Sequence, residues 1–114
     1  MKRTRDRLQD ILDAITQIEK HGKEGRAAFD ANELIQIWMV HHLQIIGEAV
    51  RSIDPDFRNK HPSVPWRLIA GMRNILIHDY GSINFEIVWS AVENNVPNLK
   101  VEIEKILLEL PESE

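Results

Sequence analysis

Hydrophobic residues recur at helical spacing near the start of the chain. Over about residues 3–21 they lie three or four positions apart, which is the pattern of a helix with one buried stripe. The stripe consists of Leu8, Ile11, Leu12, Ile15 and Ile18. Gly22 and Gly25 interrupt the pattern and predict the end of this helix. Asp30 followed by Glu33 resembles a capping box, so a second helix is expected to begin there.

The second predicted helix, about residues 31–53, is apolar on almost every side. Its apolar residues are Leu34, Ile35, Ile37, Trp38, Met39, Val40, Leu43, Ile45, Ile46, Ala49 and Val50. A surface helix needs only one apolar stripe, whereas this one needs cover on most sides. A chain of 114 residues has few helices to supply that cover. We therefore expect a second subunit to provide part of it, in a homodimer.

Residues 54–65, which contain three prolines, are predicted to form a connection between helices. A third helix is predicted from about Trp66 to Asp79, with Ser63 as its N-cap and Pro65 in its first turn. Gly81 and Ser82 are expected to end this helix, because glycine commonly follows the last helical residue.

The remaining pattern predicts two more helices. A short fourth helix, about 85–94, is capped by Asn84, and a fifth, about 97–110, opens at Pro97. No segment has the pattern of a convincing strand. The predicted fold class is an all-α, up-and-down bundle of four main helices plus the short one, in a single domain spanning residues 1–114.

The amino-acid composition excludes several kinds of site and of protein. The chain has no Cys, which excludes disulfides, thiolate metal sites and cysteine nucleophiles. Its net charge of −4 argues against binding nucleic acid through bulk charge alone. No apolar run approaches the ~18 residues of a membrane span, and no apolar stretch behind the basic N-terminus would form a signal peptide. We therefore expect a cytoplasmic protein that does not enter a membrane.

The third predicted helix has one apolar side and one polar side. At 100° per residue, the apolar side consists of Leu68, Ile69, Met72, Ile75 and Leu76. The opposite side is a polar stripe of Arg67, Gly71, Asn74 and His78. Gly71 removes side-chain bulk at the centre of this stripe, although glycine costs roughly 1 kcal/mol relative to Ala inside a helix. A partner backbone or a substrate approaching closely there would explain it.

Arg73 and His78 carry the candidate chemistry of this helix. They are five residues apart, which separates them by about 140° and ~7.5 Å on one straight helix, so they do not meet well. They converge if the helix ends near His78, or if two copies of the helix face each other across a two-fold axis. Trp66 and Tyr80 lie on the same side of the helix as Arg73. Without further context, a lone Arg and a lone His are ordinary surface residues.

The wider sequence supplies that context. The stretch from Arg73 to Tyr80 resembles the Arg-x4-His-x-Tyr motif of HEPN-domain ribonucleases, with a polar residue, Asn74, directly after the Arg. Three further blocks resemble the HepT-like branch of that superfamily, in the expected order over nearly the whole chain. They are Leu43–Val50, His61–Asn74, and Glu86–Trp89 followed by Asn95–Leu99. The departures are small: Asp79 stands where many relatives have Gly, and His41 and His42 are adjacent in the second helix.

The resemblance implies a homodimeric helical bundle and a metal-independent endoribonuclease that uses no cofactor. Arg73 and His78 take the positions of the catalytic pair. Such proteins act as toxins beside a minimal nucleotidyltransferase antitoxin, which attaches AMP to the Tyr of the motif, Tyr80 here. This partner and this modification are expectations from the resemblance.

The chemistry of the residues is consistent with RNA cleavage. RNA carries its own nucleophile, the 2′-hydroxyl. His78 can be general base or acid, and Arg73 can hold the phosphate. Asn74 can orient the imidazole or the phosphate, and Arg67 and Trp66 are candidate substrate contacts. A 2′,3′-cyclic phosphate product is expected on that mechanism.

Two other hypotheses for the function remain open. The dimer cleft of a non-catalytic module could bind a nucleotide or the transferase, with Arg73 and His78 as ligand contacts. Alternatively, the polar stripe could merely seal a structural dimer. A metal site has no support, because the adjacent His41 and His42 point about 100° apart and cannot chelate one ion together.

Overall fold

The computed structural model describes residues 3–78 and 82–111, and for Arg73 and residues 75–78 it describes the backbone alone. In order, the elements are α1 (Thr4–Gly22), α2 (Arg26–Ala31), α3 (Glu33–Arg51), α4 (Pro55–Asn59), α5 (Trp66–Leu76), β1 (Ile77–His78), β2 (Ser82–Ile83), α6 (Phe85–Ser90), a π-helix (Ala91–Asn95) and α7 (Val96–Glu109). The all-α fold class is confirmed. None of the helices in the described ranges is long and apolar enough to cross a membrane.

The core forms around α3, which packs against α1 and α5. Its buried apolar residues are Ile35, Met39, Val40, Leu43, Ile46, Ala49 and Val50. The indole Nε1 of Trp38 donates to the main-chain oxygen of Gln17 on α1 at 2.7 Å. Leu34 and Ile37 are the large apolar side chains of α3 that stay exposed, at 76% and 50%. The chain therefore covers more of this helix than its apolar pattern led us to expect.

A second part of the core joins α2 to α6. The ring of Phe29 is fully buried and lies 5.9 Å from the ring of Phe85 and 5.3 Å from that of Trp89. Outside this aromatic contact, Arg26 Nη2 and Glu86 Oε1 form an ion pair at 2.6 Å. The hydrogen bond from Arg26 holds the pKa of the Glu86 carboxyl below its usual value. These contacts fix the start of α6, directly after β2.

The predicted limits of several helices are confirmed. The first helix ends at Gly22, and Gly25 has a φ of 90°, a conformation that favours glycine. Asn84 caps α6 by accepting a hydrogen bond from the Ile87 backbone at 3.1 Å. The last helix begins at Val96, one residue before the predicted proline. The predicted fourth helix is α6 followed directly by the π-helix.

Two predicted caps are wrong. The start of α3 is capped by Asn32, whose side chain accepts from the Leu34 backbone at 2.9 Å. Asp30 lies instead in α2, a short helix that the sequence did not predict, where it pairs with Arg26 at 2.8 Å. Ser63 does not cap α5, because the helix begins at Trp66 and Pro65 is the residue before it; the Ser63 hydroxyl donates instead to Glu102 Oε2 at 2.9 Å.

The third helix is shorter than predicted, and a β-ribbon follows it. Helix α5 ends at Leu76, and Ile77 and His78 pair antiparallel with Ile83 and Ser82. The prediction of a helix to Asp79 and of no strands is therefore wrong. Two β-branched residues pair across this ribbon, and such residues fit extended backbone well. The predicted stop at Gly81 lies outside the described residues.

The aromatic contact between α2 and α6 gives a first prediction. Replacing Phe29 by Ala should lower the free energy of unfolding by about 3–5 kcal/mol, because it removes a fully buried ring and leaves a cavity. Urea unfolding followed by circular dichroism measures this. Leu108→Ala is the control, since Leu108 is 88% exposed and its loss should change stability by at most about 0.5 kcal/mol. Equal effects of the two substitutions would contradict the assignment of this core.

Candidate active site

The exposed face of α5 is polar. Arg67, Gly71 and Asn74 are exposed, and they share one face because they lie four and three residues apart. Ile69 and Met72 are buried on the opposite side, at 2% and 5% exposure. The predicted polar stripe is confirmed for its first three members.

Two residues of α5 differ from their predicted positions. Leu68 was placed on the core side but is 50% exposed. Trp66 was placed beside Arg73 as a candidate substrate contact, yet it is 6% exposed and its Nε1 donates to the His61 main-chain oxygen at 2.9 Å. Trp66 thus anchors the start of α5 in the core, because residues 61–65 fold over it. We do not retain it as a base-stacking surface.

Gly71 leaves open space at the centre of this face. A methyl group placed on it would meet no atom of the described chain within 4 Å, apart from its own helix and chain neighbours. Within the described residues nothing therefore requires glycine here, although glycine destabilises a helix interior by roughly 1 kcal/mol relative to Ala. The space is available to another molecule.

Arg73 and His78 lie in different elements, because the helix ends between them. Arg73 lies in the last turns of α5, whereas His78 lies two residues beyond the helix, in β1. The angle of about 140° derived for a continuous helix therefore does not relate them. A helix that ends near His78 is one of the two conditions under which we expect the two residues to converge. Tyr80 lies outside the described residues.

The adjacent histidines of α3 have different surroundings. His42 is 9% exposed, and its Nδ1 donates to the Trp38 main-chain oxygen at 2.8 Å. His41 is exposed, with its ring 4.9 Å from that of His42. In the described ranges no group of three His, Asp or Glu side chains could hold a metal ion.

A polar cavity between α1 and α3 was missed by the sequence reasoning. Its volume is about 380 Å³, and Arg7, Asp10, His41, Gln44 and Glu48 are among its lining residues. The α1 and α3 residues of this cavity are more than thirty positions apart in the chain, so no local spacing could have predicted it. The sequence does show that the cavity residues of each helix share one face of it. Those of α1 are three residues apart, and the polar ones of α3 are three or four residues apart.

Comparison with known families decides what kind of chain this is. The model of the family described as "Ribonuclease HepT-like" matches residues 11–106, which include α5, the ribbon and most of α1 and α7. The chain belongs to this family. The matched region includes Arg73, at the end of α5, and His78, in β1.

Similar proteins come from archaea and bacteria. A probable ribonuclease HepT of Thermococcus cleftensis is 39% identical over 93% of this chain and 98% of its own length. A candidate RNase of Methanocaldococcus jannaschii is 41% identical over 85% of this chain and 90% of its own. Another, of Caldanaerobacter subterraneus, is 46% identical over 60% of this chain and 61% of its own. No solved structure matches the HepT-like chain.

The open space at Gly71 gives a second prediction. Gly71→Ala should raise the free energy of unfolding by about 0.5–1 kcal/mol, because the methyl group meets no atom of the described residues within 4 Å outside its own helix and Ala favours the helix. Thermal and urea unfolding measure this. Gly25→Ala is the control with the opposite sign, since a φ of 90° strains any other residue. A loss of stability in Gly71→Ala would contradict the assignment of open space.

Proposed function

We propose that this HepT-like chain is a metal-independent endoribonuclease that acts as a homodimer, with Arg73 and His78 as its catalytic residues. The observation that carries the proposal is the complete Arg-Asn-x3-His-x-Tyr set in a chain of a ribonuclease family. The exposed face of α5 supports it, since this face offers RNA a polar surface with open space at Gly71 and ends at Asn74, the residue that follows Arg73 in the chain.

The reaction requires one base, one acid and one cation. His78 of one subunit takes the proton of the 2′-hydroxyl, whose oxygen then attacks the adjacent phosphorus. The bond to the 5′-oxygen breaks, and His78 of the partner subunit gives that oxygen a proton. Arg73 stabilises the negative charge that builds up on the phosphate, and Asn74 orients the phosphate or the imidazole. The products are a 2′,3′-cyclic phosphate and a 5′-hydroxyl.

The dimer is needed because one chain supplies a single His78. Exposed apolar side chains on two neighbouring helices offer the contact: Leu34 and Ile37 on α3, and Leu68 on α5. Two-fold homodimers are the commonest soluble oligomers. The mechanism requires that this dimer bring the polar faces of its two α5 helices to one cleft.

This interface predicts the mass in solution. Light scattering should give about 26 kDa at micromolar concentration, twice the 13.2 kDa of one chain. Ile37→Glu should shift the mass towards that of a monomer, because it introduces a charge into the apolar contact. Val101→Glu is the matched control, since Val101 on α7 is also 50% exposed, and it should leave the dimer intact. A mass of about 13 kDa for the unaltered protein would refute the dimer.

The catalytic assignment predicts the loss of cleavage in two variants. His78→Ala and Arg73→Ala should each slow cleavage of labelled tRNA or mRNA by about 10²–10⁴-fold, as losses of acid–base and charge-stabilising groups do. The rate should not change in EDTA. His21→Ala, which removes a histidine at the end of α1, is the control and should remain active.

Three results would count against this mechanism. They are full activity in His78→Ala, activity that EDTA abolishes and Mg²⁺ restores, and oligonucleotide binding without any cleavage. The last result would favour a non-catalytic binding module.

The proposed cellular role is that of a cytoplasmic toxin held silent by a minimal nucleotidyltransferase antitoxin. The Tyr80 hydroxyl attacks the α-phosphorus of ATP, pyrophosphate leaves, and the phenolic proton passes to solvent. The AMP group adds bulk and a phosphodiester anion close to Arg73 in the motif. This anion can pair with Arg73 and take the place of the RNA phosphate.

Modification of Tyr80 gives a prediction for the pair of proteins. Coexpression with the transferase should raise the mass of this chain by one or more AMP units on Tyr80 and abolish cleavage. Tyr80→Phe should remain an active nuclease that the transferase no longer silences, because the accepting hydroxyl is gone. Mass spectrometry and RNA cleavage measure both. An unmodified Tyr80, or a fully silenced Tyr80→Phe protein, would leave simple complex formation as the means of control.

A further inference from the structure

A cleft of about 500 Å³ lies beside the start of α5, on the side of α4. Its polar lining consists of Arg58, Asn59 and Arg67, and its remaining walls are apolar. Arg58 lies in α4 and Arg67 in the first turn of α5, so the connection between the two helices brings them to one opening. The cleft therefore combines two guanidinium groups and one amide.

The guanidinium of Arg58 lacks a partner within the described part of the chain. Its Nε is buried from solvent and makes no hydrogen bond. Arg5 has a buried unpaired Nε as well, but its Nη2 donates to the main-chain oxygens of Leu107 and Leu110. No such contact satisfies Arg58, and no carboxylate in the described residues pairs with it. The buried Nε is out of reach of a ligand, but Arg58 as a whole is only half-buried, so the rest of its guanidinium, which has no partner in the described residues, can meet an acceptor in the cleft.

The cleft is positive in a chain that is negative overall. Residues 51–67 contain four Lys/Arg and two Asp, whereas the whole chain has 14 Lys/Arg and 18 Asp/Glu. Of the two aspartates, Asp54 uses its carboxylate to cap α4, accepting from the Asp56 backbone at 2.9 Å. The positive end of the α5 dipole also lies at this cleft. These features favour an anion.

The position of Arg67 connects this anion to the catalytic motif. Arg67 and Asn74 are seven residues apart, so they lie on one face of α5 about 10 Å from each other along the axis. We infer that Arg58 and Arg67 bind a backbone phosphate of single-stranded RNA a few nucleotides from the bond that is cut. The guanidinium fork matches the two non-bridging oxygens of a phosphodiester, and the neighbouring Asn59 can donate a further hydrogen bond to one of them. The inference rests on the proposed function for the identity of the ligand.

Binding of RNA that cannot be cleaved tests this site without relying on catalysis. The probe is a fluorescent single-stranded 2′-O-methyl oligonucleotide, and its Kd is measured by anisotropy at several salt concentrations. Arg58→Gln and Arg67→Gln should each raise Kd about tenfold, and each should reduce the slope of log Kd against log salt by up to about 0.7, the value for one phosphate, because the weakened contact releases fewer counterions. Lys20→Gln removes the same charge from the exposed surface of α1 and should change neither quantity.

Two further variants and one further probe separate the alternatives. Arg58→Lys keeps the charge but loses the fork, so its Kd should lie between those of the unaltered protein and Arg58→Gln. If Arg58→Gln does not fold, the exposed Arg67→Gln carries the test, with circular dichroism as the check. Titration with inorganic phosphate distinguishes a free anion from an RNA backbone. Phosphate binding that needs Arg58, together with unchanged RNA affinity in both variants, would overturn the inference.

The outcome is independent of the catalytic assignment. An unchanged Kd and salt slope in both variants of an active nuclease removes the phosphate site and leaves the proposed function standing. Conversely, the unaltered chain could fail to cleave RNA while both variants bind the oligonucleotide more weakly. In that case the phosphate site stands and the proposed nuclease function is wrong.

Discussion

Burial of α3 between α1 and α5 is the constraint on which the rest of the fold depends. It turns the apolar side of α5 inwards, with Ile69 and Met72 in the core. A helix that buries one side must present the other, so Arg67, Gly71 and Asn74 face outwards. The polar face that leads to the motif is thus a consequence of how the core is covered.

The end of α5 is the second feature that shapes the site. The motif begins in the helix and continues into a short ribbon, in which His78 pairs with Ser82. A residue in an extended strand is not bound to the 100° step of a helix, so the relation of His78 to Arg73 is set by the ribbon. The contact of α2 with α6 fixes the chain directly after β2 and so supports this ribbon from the other side.

Local patterns predicted most of the helices but not the contacts between distant residues. The spacing of apolar residues located α1, α3, α5 and α7. Asn84 could be predicted as a helix cap because its side chain accepts a hydrogen bond from a backbone N–H only three residues further along the chain. The bond of Ser63 to Glu102 spans 39 positions, and nothing near Ser63 in the sequence indicates it. The ribbon likewise depends on pairing across a chain reversal. Counting apolar residues along α3 also does not tell how much of its surface the neighbouring helices cover, and among its large apolar side chains the structure leaves Leu34 and Ile37 exposed.

The same limit applies to the site. The motif and the exposed stripe of α5 could be found from spacing, whereas the burial of Trp66 depends on residues 61–65 folding over it. The cleft of Arg58 and Arg67 requires two helices to meet, and its unpaired Nε is visible only in three dimensions.

The most direct test of the account is the chemistry of the cleaved ends. RNA labelled at its 5′ end is cut by the pure protein in EDTA, the bond is mapped, and a 2′-deoxynucleotide is then placed on its 5′ side. Mass spectrometry should find a 2′,3′-cyclic phosphate on the upstream fragment, and the deoxy substitution should abolish cleavage at that bond. A 3′-hydroxyl end, or unchanged cleavage at the deoxy position, would contradict attack by the 2′-hydroxyl.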